Sequence, residues 1–335
     1  MLLQTTNLRV SLPVAGGKYL TVARDVSFSI PEGGFHCVVG ESGCGKSVTA
    51  MALTRLPPAD NAVVSGEVMF CGENLLTATP ARLRELRGRG GIANIFQDPM
   101  SALNPVLRVD TQMREVERDT GRLADLLASV GLPDPRKVLR SYPCELSGGM
   151  AQRVCIAMAM ASDPALLIAD EPTTALDVVT QKKVLELLAA IRAAHRVAIL
   201  LITHNLGLVA GCGDTLSVMY AGQIVEDGPA VDILRSPAHP YTAGLMAAAP
   251  SLAGGRVEDL ATIPGRVPPP AEWPEQACAF APRCARATPD CFEKNPVNGQ
   301  RGTVNGQRLT VNGERLTVNG QRSTVNGRTI CCFNH

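Results

Sequence analysis

Gly40-Glu41-Ser42-Gly43-Cys44-Gly45-Lys46-Ser47 satisfies the spacing G-x-x-x-x-G-K-[ST] at every fixed position. Glycines let the main chain curl so that successive N–H groups face one anion. Lys46 supplies a point charge toward β- and γ-phosphates, and the Ser47 hydroxyl suits Mg²⁺. A second group is Leu166-Leu167-Ile168-Ala169-Asp170-Glu171-Pro172, an apolar run that ends in two carboxylates. Asp170 suits Mg²⁺, directly or through water, and Glu171 suits an attacking water, as general base or positioner. Alone, such a strand also reads as one ending in a solvated acidic turn; the phosphate loop upstream favours the chemical reading. The third group is Leu146-Ser147-Gly148-Gly149-Met150-Ala151-Gln152-Arg153, ahead of the apolar run Val154–Ala161. Its helix start can bind an anion or serve simply as an N-cap. Two such helix starts with a single Lys-bearing loop suit two chains that sandwich shared nucleotides.

These groups need a scaffold, and the patterning supplies an α/β one. Leu8-Arg9-Val10-Ser11-Leu12 and Val26-Ser27-Phe28-Ser29-Ile30 alternate with a period of two, which predicts antiparallel strands in residues 1–30. The turn Pro31–Gly34 precedes a buried strand, Phe35–Val39, that runs into the phosphate loop. A helix is expected from Lys46 to about Leu56, where Pro57-Pro58 ends it. Leu123, Leu126, Leu127 and Val130 share one helical face within a charged stretch, predicting an inserted helical subdomain over about 98–162. From Ala165 the grammar returns to a parallel sheet: strands Leu166–Ala169 and Val197–Thr203 flank a helical Val178–Arg192.

The order of these elements carries a resemblance. The phosphate loop is followed by Gln97 in Ile95-Phe96-Gln97-Asp98-Pro99, then Leu146–Arg153, Asp170-Glu171, Ala175-Leu176-Asp177 and His204. Over about residues 1–235 the series resembles the nucleotide-binding subunits of ABC transporters. The resemblance implies a P-loop NTPase fold with a mixed sheet core, an antiparallel β subdomain and a helical subdomain. It implies ATP and Mg²⁺ as ligands, in a head-to-tail dimer where Ser147, Gly148 and Gly149 contact the γ-phosphate held on the partner's Lys46. Glu171, His204 and Gln97 then take catalytic places; Ser47, Gln97 and Asp170 surround Mg²⁺; Gly40, Ser42, Gly43, Cys44 and Gly45 wrap the phosphates; Asp177 joins the two sites. Tyr19 is the candidate for stacking on adenine, with Leu20 as the alternative. Asn205 stands where the family usually has Asp, and the stretch Pro105–Tyr142 is shorter than the family pattern.

Beyond residue 235 the chain becomes irregular and proline-rich. Ser236–Leu245, Thr262–Pro268 and Cys278-Ala279-Phe280-Ala281-Pro282-Arg283-Cys284 resemble the C-terminal extension of dipeptide/oligopeptide importer ATPases. That resemblance implies a [4Fe-4S] cluster on Cys278, Cys284, Cys291 and Cys331, with Cys332 as the alternative fourth ligand. Four thiolates also suit Zn²⁺, and free thiols are the plain reading. Between the third and fourth ligands, Val-Asn-Gly recurs every seven residues from Val297 to Val325. Asn-Gly opposes helix and signals a turn, so 297–327 reads as a flexible low-complexity insertion or an ordered β-repeat. The other six of the eleven cysteines are scattered through residues 1–277 and are expected to act as small buried apolar residues.

Composition narrows the partners. Lys and Arg number 32 against 31 Asp and Glu, a net charge of +1, without the basic excess of a nucleic-acid binder. Apolar runs are too short to span a bilayer and no signal peptide is evident, so the chain reads as cytosolic; the resemblance implies a peripheral place on the cytoplasmic face of the membrane. With the resemblance, the expected function is the ATPase of a dipeptide or oligopeptide importer. Its partners would be two transmembrane permease subunits, a related second ATPase or an identical copy, and indirectly a solute-binding protein. The alternatives are a nickel or other small-solute importer, a soluble ABC-type ATPase with a non-membrane partner, and an iron–sulfur or zinc sensor.

Overall fold

The computed structural model describes residues 1–335 apart from 57–58, 60, 175, 249–261, 294–308, 312–313, 317–322, 326–327 and 333–335. In chain order the strands are β1 (Leu3–Val14), β2 (Lys18–Ile30), β3 (Phe35–Val39), β4 (Val63–Phe70), β5 (Glu73–Asn74), β6 (Ile92–Ile95), β7 (Leu166–Asp170), β8 (Ala198–Thr203), β9 (Thr215–Tyr220), β10 (Gln223–Pro229), β11 (Leu309–Val311), β12 (Glu314–Leu316), β13 (Ser323–Val325) and β14 (Arg328–Ile330). They belong to two compact units. One comprises residues 1–2, 30–35 and 70–203; the other comprises 3–29, 36–69 and 204–335.

In the first unit β8, β7 and β6 lie side by side and parallel, with Leu166 opposite Ala198 and Ile92 opposite Leu166. Every residue of β7 and β8 is buried, which is why both read as near-continuous apolar runs rather than as alternating ones. The expected helical region is realised as Pro99–Ala102, Val109–Met113, Thr120–Ser129, Pro135–Arg140 and Gly148–Met160. Local chemistry sets several of these starts. Asp98 and Asp134 each cap a helix that has Pro at its first position, where a missing N–H costs nothing. Asp119 caps the third helix through the N–H of Gly121. Leu123, Leu127 and Val130 are buried on one face of that helix and its end, as its periodicity predicts, while Leu126 is half-buried. The long helix Val178–His195 stops at Arg196, whose φ of 54° is left-handed.

The second unit contains an antiparallel sheet in the order β2-β1-β4. Gly16 and Gly17, at φ of 82° and 70°, make the hairpin turn between β1 and β2. Arg9 pairs with Asp25 and Ser11 meets Thr21 across the two strands. The unit's other sheet is mixed: β3 runs parallel to β9, β9 antiparallel to β10, and β10 antiparallel to β14, which also pairs with β13. Ala221 and Gly222, both at positive φ, make the turn between β9 and β10. A Cβ on Gly222 would stand 2.5 Å from the Trp273 ring, so glycine is needed there for space as well as for conformation.

Most of the Val-Asn-Gly stretch lies outside the described residues. Within its described parts β11 pairs with β12, and β13 pairs with β14 just beyond it, both antiparallel; the Asn-Gly pairs between these strands lie outside the described residues. A buried carboxylate fixes β14: Glu226 accepts from the N–H groups of Ala238 and His239 and faces the Arg328 guanidinium at 3.6 Å. Arg328 Nη1 also donates to the carbonyls of Asp232 and Ser236. Among the described residues no helix is long and apolar enough to cross a membrane.

The strand that feeds the phosphate loop carries a pH-sensitive residue. His36 is 1% exposed, stacks on Phe28 at 4.8 Å, and has Thr215 Oγ1 and Ser217 Oγ at 2.7 and 3.0 Å from its ring nitrogens. Burial lowers its pKa to about 3. The folded value lies below the unfolded one, so the unfolded chain takes up the proton first as pH falls. Stability is therefore complete above about pH 6.5 and falls between there and about pH 3 by up to about 1.4 kcal/mol per pH unit. Urea unfolding at pH 7.5 and pH 5 should show this loss, and His36→Gln should flatten it.

Candidate functional site

In the second unit the phosphate loop connects β3 to the helix Lys46–Leu53. Gly43 and Gly45 lie at φ of 82° and 103°, a region that side chains rarely adopt. Close packing adds a second reason for glycine: a Cβ on Gly45 would stand 2.4 Å from the Val22 carbonyl, and one on Gly40 would stand 2.2 Å from that of Met219. Lys46 is 4% exposed, and its Nζ donates into the loop, to the carbonyls of Gly40 at 2.8 Å and Glu41 at 3.0 Å. Ser47, half-buried, sits in the first turn of the helix, where the helix dipole favours an anion. Cys44 is fully buried, and burial pushes its thiol up from the ordinary value. It therefore fills space beneath the loop as a neutral side chain.

Tyr19 is exposed and Leu20 half-buried. Both line a cavity of about 390 Å³ together with Arg24 and, from the extension, Pro270 and Trp273. Arg24 lies over the Trp273 ring at 5.3 Å and donates to the Pro274 carbonyl. His204 is exposed just beyond β8. Asn205 caps the next short helix by accepting from the Gly207 N–H, a bond that Asp would make equally.

In the first unit β7 delivers Asp170 at its end, and Glu171 follows with a φ of 45°. This left-handed residue is 8% exposed, and its N–H donates to the Ile202 carbonyl. Its Oε2 accepts from Thr174 Oγ1 at 2.9 Å and from Gln97 Nε2 at 3.4 Å. Gln97, from the end of β6, and Glu171, from the end of β7, are thus brought together at the carboxyl edge of a parallel sheet, where ligands gather. Backbone strain at the candidate base is of the kind that functional positions store.

Ser147 caps the helix Gly148–Met160, its Oγ accepting from the Met150 N–H. Gly149 backs onto Thr180, with a Cβ there reaching 3.1 Å from Thr180 Cγ2. Asp177 lies on the same helix as Thr180, which it caps: its carboxylate accepts from the N–H groups of Val179 and Thr180 and from Thr180 Oγ1. The Thr180 bonds hold the Asp177 carboxyl below its ordinary value. Ala175, in the same motif, lies outside the described residues.

The cysteines divide differently from expectation. Cys37 and Cys44 are buried and Cys155 and Cys212 half-buried, but Cys71 and Cys144 are exposed and so fill no core space. In the extension the Cys278 N–H donates to the Cys291 carbonyl. Burial raises the Cys278 thiol to about 11, with nearby Cys291 and Cys332 adding to the shift. The sulfur of Cys284 accepts from the Arg286 N–H, and that of Cys291 from the Thr288 N–H. Cys331 is 2% exposed, and its N–H donates to the Val225 carbonyl. Among the described residues no three His, Cys, Asp or Glu side chains converge as ligands of one metal ion. That geometry supports neither the iron–sulfur cluster nor the Zn²⁺ alternative.

The residues that sequence reasoning missed are Glu41, Tyr241 and Arg283. Glu41 donates its N–H to Tyr241 Oη, and its carboxylate pairs with Arg283. Only the placing of Arg283 between two cysteines of the extension pointed to it.

Comparison with known proteins bears on the family and the fold. Residues 23–174 match the family model for ABC transporters, and residues 225–291 match that of the oligopeptide/dipeptide transporter C-terminal region. The chain is 44% identical over 295 residues to a putative peptide import ATP-binding protein of Brucella abortus, covering 85% of this chain and 88% of that one. It is 43% identical over 296 residues to the oligopeptide transport ATP-binding protein of Bacillus subtilis, covering 85% and 82%. With the dipeptide transport ATP-binding protein of the same organism it shares 44% over 292 residues, covering 84% and 86%. Among solved structures it resembles a dimeric bacterial ABC transporter cassette, with a TM-score of 0.59, 25% identity, and coverage of 68% of this chain and 98% of that one.

Proposed function

Because the chain belongs to the ATP-binding subunits of the dipeptide/oligopeptide ABC importer family, we propose that it hydrolyses ATP to drive peptide import through transmembrane permease subunits. The observation that carries this reading is the combination in one chain of a Lys-bearing phosphate loop with the family's C-terminal extension. A nickel importer or a soluble ATPase would share the loop, but the chain's relatives are named for peptide transport.

In this reading Gly40, Ser42, Gly43, Cys44, Gly45, Lys46 and Ser47 would hold the phosphates of ATP. Ser47, Gln97 and Asp170 would hold Mg²⁺, and Glu171 would orient and deprotonate the attacking water. Ser147, Gly148 and Gly149 of one protomer face the γ-phosphate held by its partner, Asp177 links the two sites, and His204 contacts the γ-phosphate. Tyr19, or Leu20, packs against adenine. ATP binding closes the dimer and hydrolysis reopens it, and that cycle moves the permease between its two access states. The dimer is formed with an identical copy or a related second ATPase. The nucleotide-binding portion runs over residues 1–235 and the extension over 236–335, and the protein works at the cytoplasmic face of the membrane as a peripheral subunit.

The extension's thiols are proposed as an iron–sulfur site on the resemblance of residues 225–291 to the importer family's C-terminal extension alone. Cys278, Cys284 and Cys291 provide three ligands. Cys331, or Cys332 in its place, would provide the fourth. Protein purified without oxygen should contain iron and acid-labile sulfide in equal amounts, and Cys284→Ser should lose both.

The functional reading is tested by affinity purification of the chain from its own membranes. Co-purifying permease subunits, with ATPase activity stimulated by peptide-loaded binding protein, are expected. Recovery as a soluble complex without permease would refute the importer assignment.

A further inference from the structure

Arg283 lies in the extension, 242 positions from Glu41 of the phosphate loop. Yet its guanidinium meets the Glu41 carboxylate with two hydrogen bonds, Nη1 to Oε2 at 2.7 Å and Nη2 to Oε1 at 3.0 Å. The Arg283 side chain is 7% exposed and that of Glu41 27%, so the pair is largely withdrawn from water. The rest of the fork is also used: Nε donates to the Pro264 carbonyl, and Nη1 also reaches Tyr220 Oη. Burial works against the charge, but Glu41 and Tyr220 outweigh it and hold Arg283 above its ordinary pKa. Such a planar, two-pronged contact is one that lysine cannot reproduce.

Glu41 is held at its main chain as well. Its N–H donates to Tyr241 Oη at 2.9 Å, and its carbonyl accepts from Lys46 Nζ at 3.0 Å. The rings of Tyr220, Tyr241 and Phe280 pack together at 4.7 to 5.3 Å and fix the two extension anchors in place. Two of the restraints on Glu41, from Arg283 and Tyr241, come from beyond residue 235, beside those from Lys46 and the Cys44 N–H within the loop. A loop ordered in advance loses less freedom when it closes on a ligand, and binds it more tightly for that reason.

We propose that Arg283 is a positioning residue for the phosphate loop: by clamping Glu41 it pre-orders the loop that receives the phosphates, linking the fold of the extension to nucleotide affinity. This rests on residues 40–47 being the ATP site. Linkage is reciprocal, so ATP should in turn protect residues 262–291 from amide hydrogen exchange.

The test is calorimetric titration of the full-length protein with Mg-ATP, alongside steady-state hydrolysis, for wild type, Arg283→Lys, Glu41→Gln and the double variant. Each single change should raise Kd and KM for ATP about tenfold, with kcat moved by less than about threefold. The double variant should be no worse than the poorer single, because both changes remove one pair. Exchange protection of 262–291 by ATP should vanish in either single variant. Unaltered Kd in the singles, or a double-variant effect of about a hundredfold from simple addition of the two, would overturn the proposal. Should Arg283→Lys fail to fold, Glu41→Gln at the half-exposed loop carries the same test. A wild-type protein that binds no ATP would refute the assignment of the ATP site itself, a result distinct from either of these.

Discussion

Glu171→Gln is expected to bind ATP with near wild-type affinity while slowing hydrolysis by about two to four orders of magnitude. The amide keeps the shape of the carboxylate and can still meet Gln97 and Thr174 Oγ1, which contact Oε2 in the wild type. What it loses is basicity: an amide cannot take a proton from water. Main-chain geometry should survive, because the left-handed φ of 45° and the bond from the Glu171 N–H to the Ile202 carbonyl do not depend on the side-chain charge. Binding without turnover should trap the ATP-closed state, so gel filtration with ATP should show a dimer that persists in the variant and is transient in the wild type. Turnover close to wild type would refute the role assigned to Glu171.

Lys46→Ala should act one step earlier and abolish ATP binding at ordinary concentrations. Lys46 Nζ lies 2.8 and 3.0 Å from the carbonyls of Gly40 and Glu41, inside the curl of the loop, with the side chain almost wholly buried. Hydrogen bonds to charged groups contribute about 1.5–3 kcal/mol each, so losing those from Lys46 to phosphate should weaken binding by about a hundredfold or more. The same ammonium also ties the loop to itself, and some loss of thermal stability should accompany the loss of affinity. Calorimetric titration separates this variant from Glu171→Gln: the first fails to bind and the second binds without turning over.

The parts of the site that were legible in the sequence are those whose requirements are local. Glycine at 43 and 45 answers to backbone conformation, and Lys46 and Ser47 follow at fixed offsets, so the loop announces itself within eight residues. The strand β7 reads as a buried apolar run because both of its faces are covered. Helix starts at Asp98, Asp134 and Ser147 are legible for the same reason, since a cap and its target lie within three residues. Contacts between distant segments left no such mark. Nothing near Glu41 announces Arg283 or Tyr241, and nothing near Gly222 announces the Trp273 ring that forbids a side chain there. The final strand was hidden too: β14 follows a low-complexity stretch, and it is Arg328, through Glu226 and two carbonyls, that holds it against β10. Exposure of Cys71 and Cys144 corrects a rule of composition that cannot know which cysteines fall at the surface.

ATP hydrolysis by this chain drives peptide movement across a membrane. The direct measurement is uptake of a labelled peptide by vesicles holding the purified permease complex, with ATP supplied on the side that carries this subunit. Uptake should require ATP, track hydrolysis, and disappear with Glu171→Gln while ATP binding persists. Peptide uptake that continues undiminished in that variant, or hydrolysis that proceeds with no peptide moved, would contradict the account.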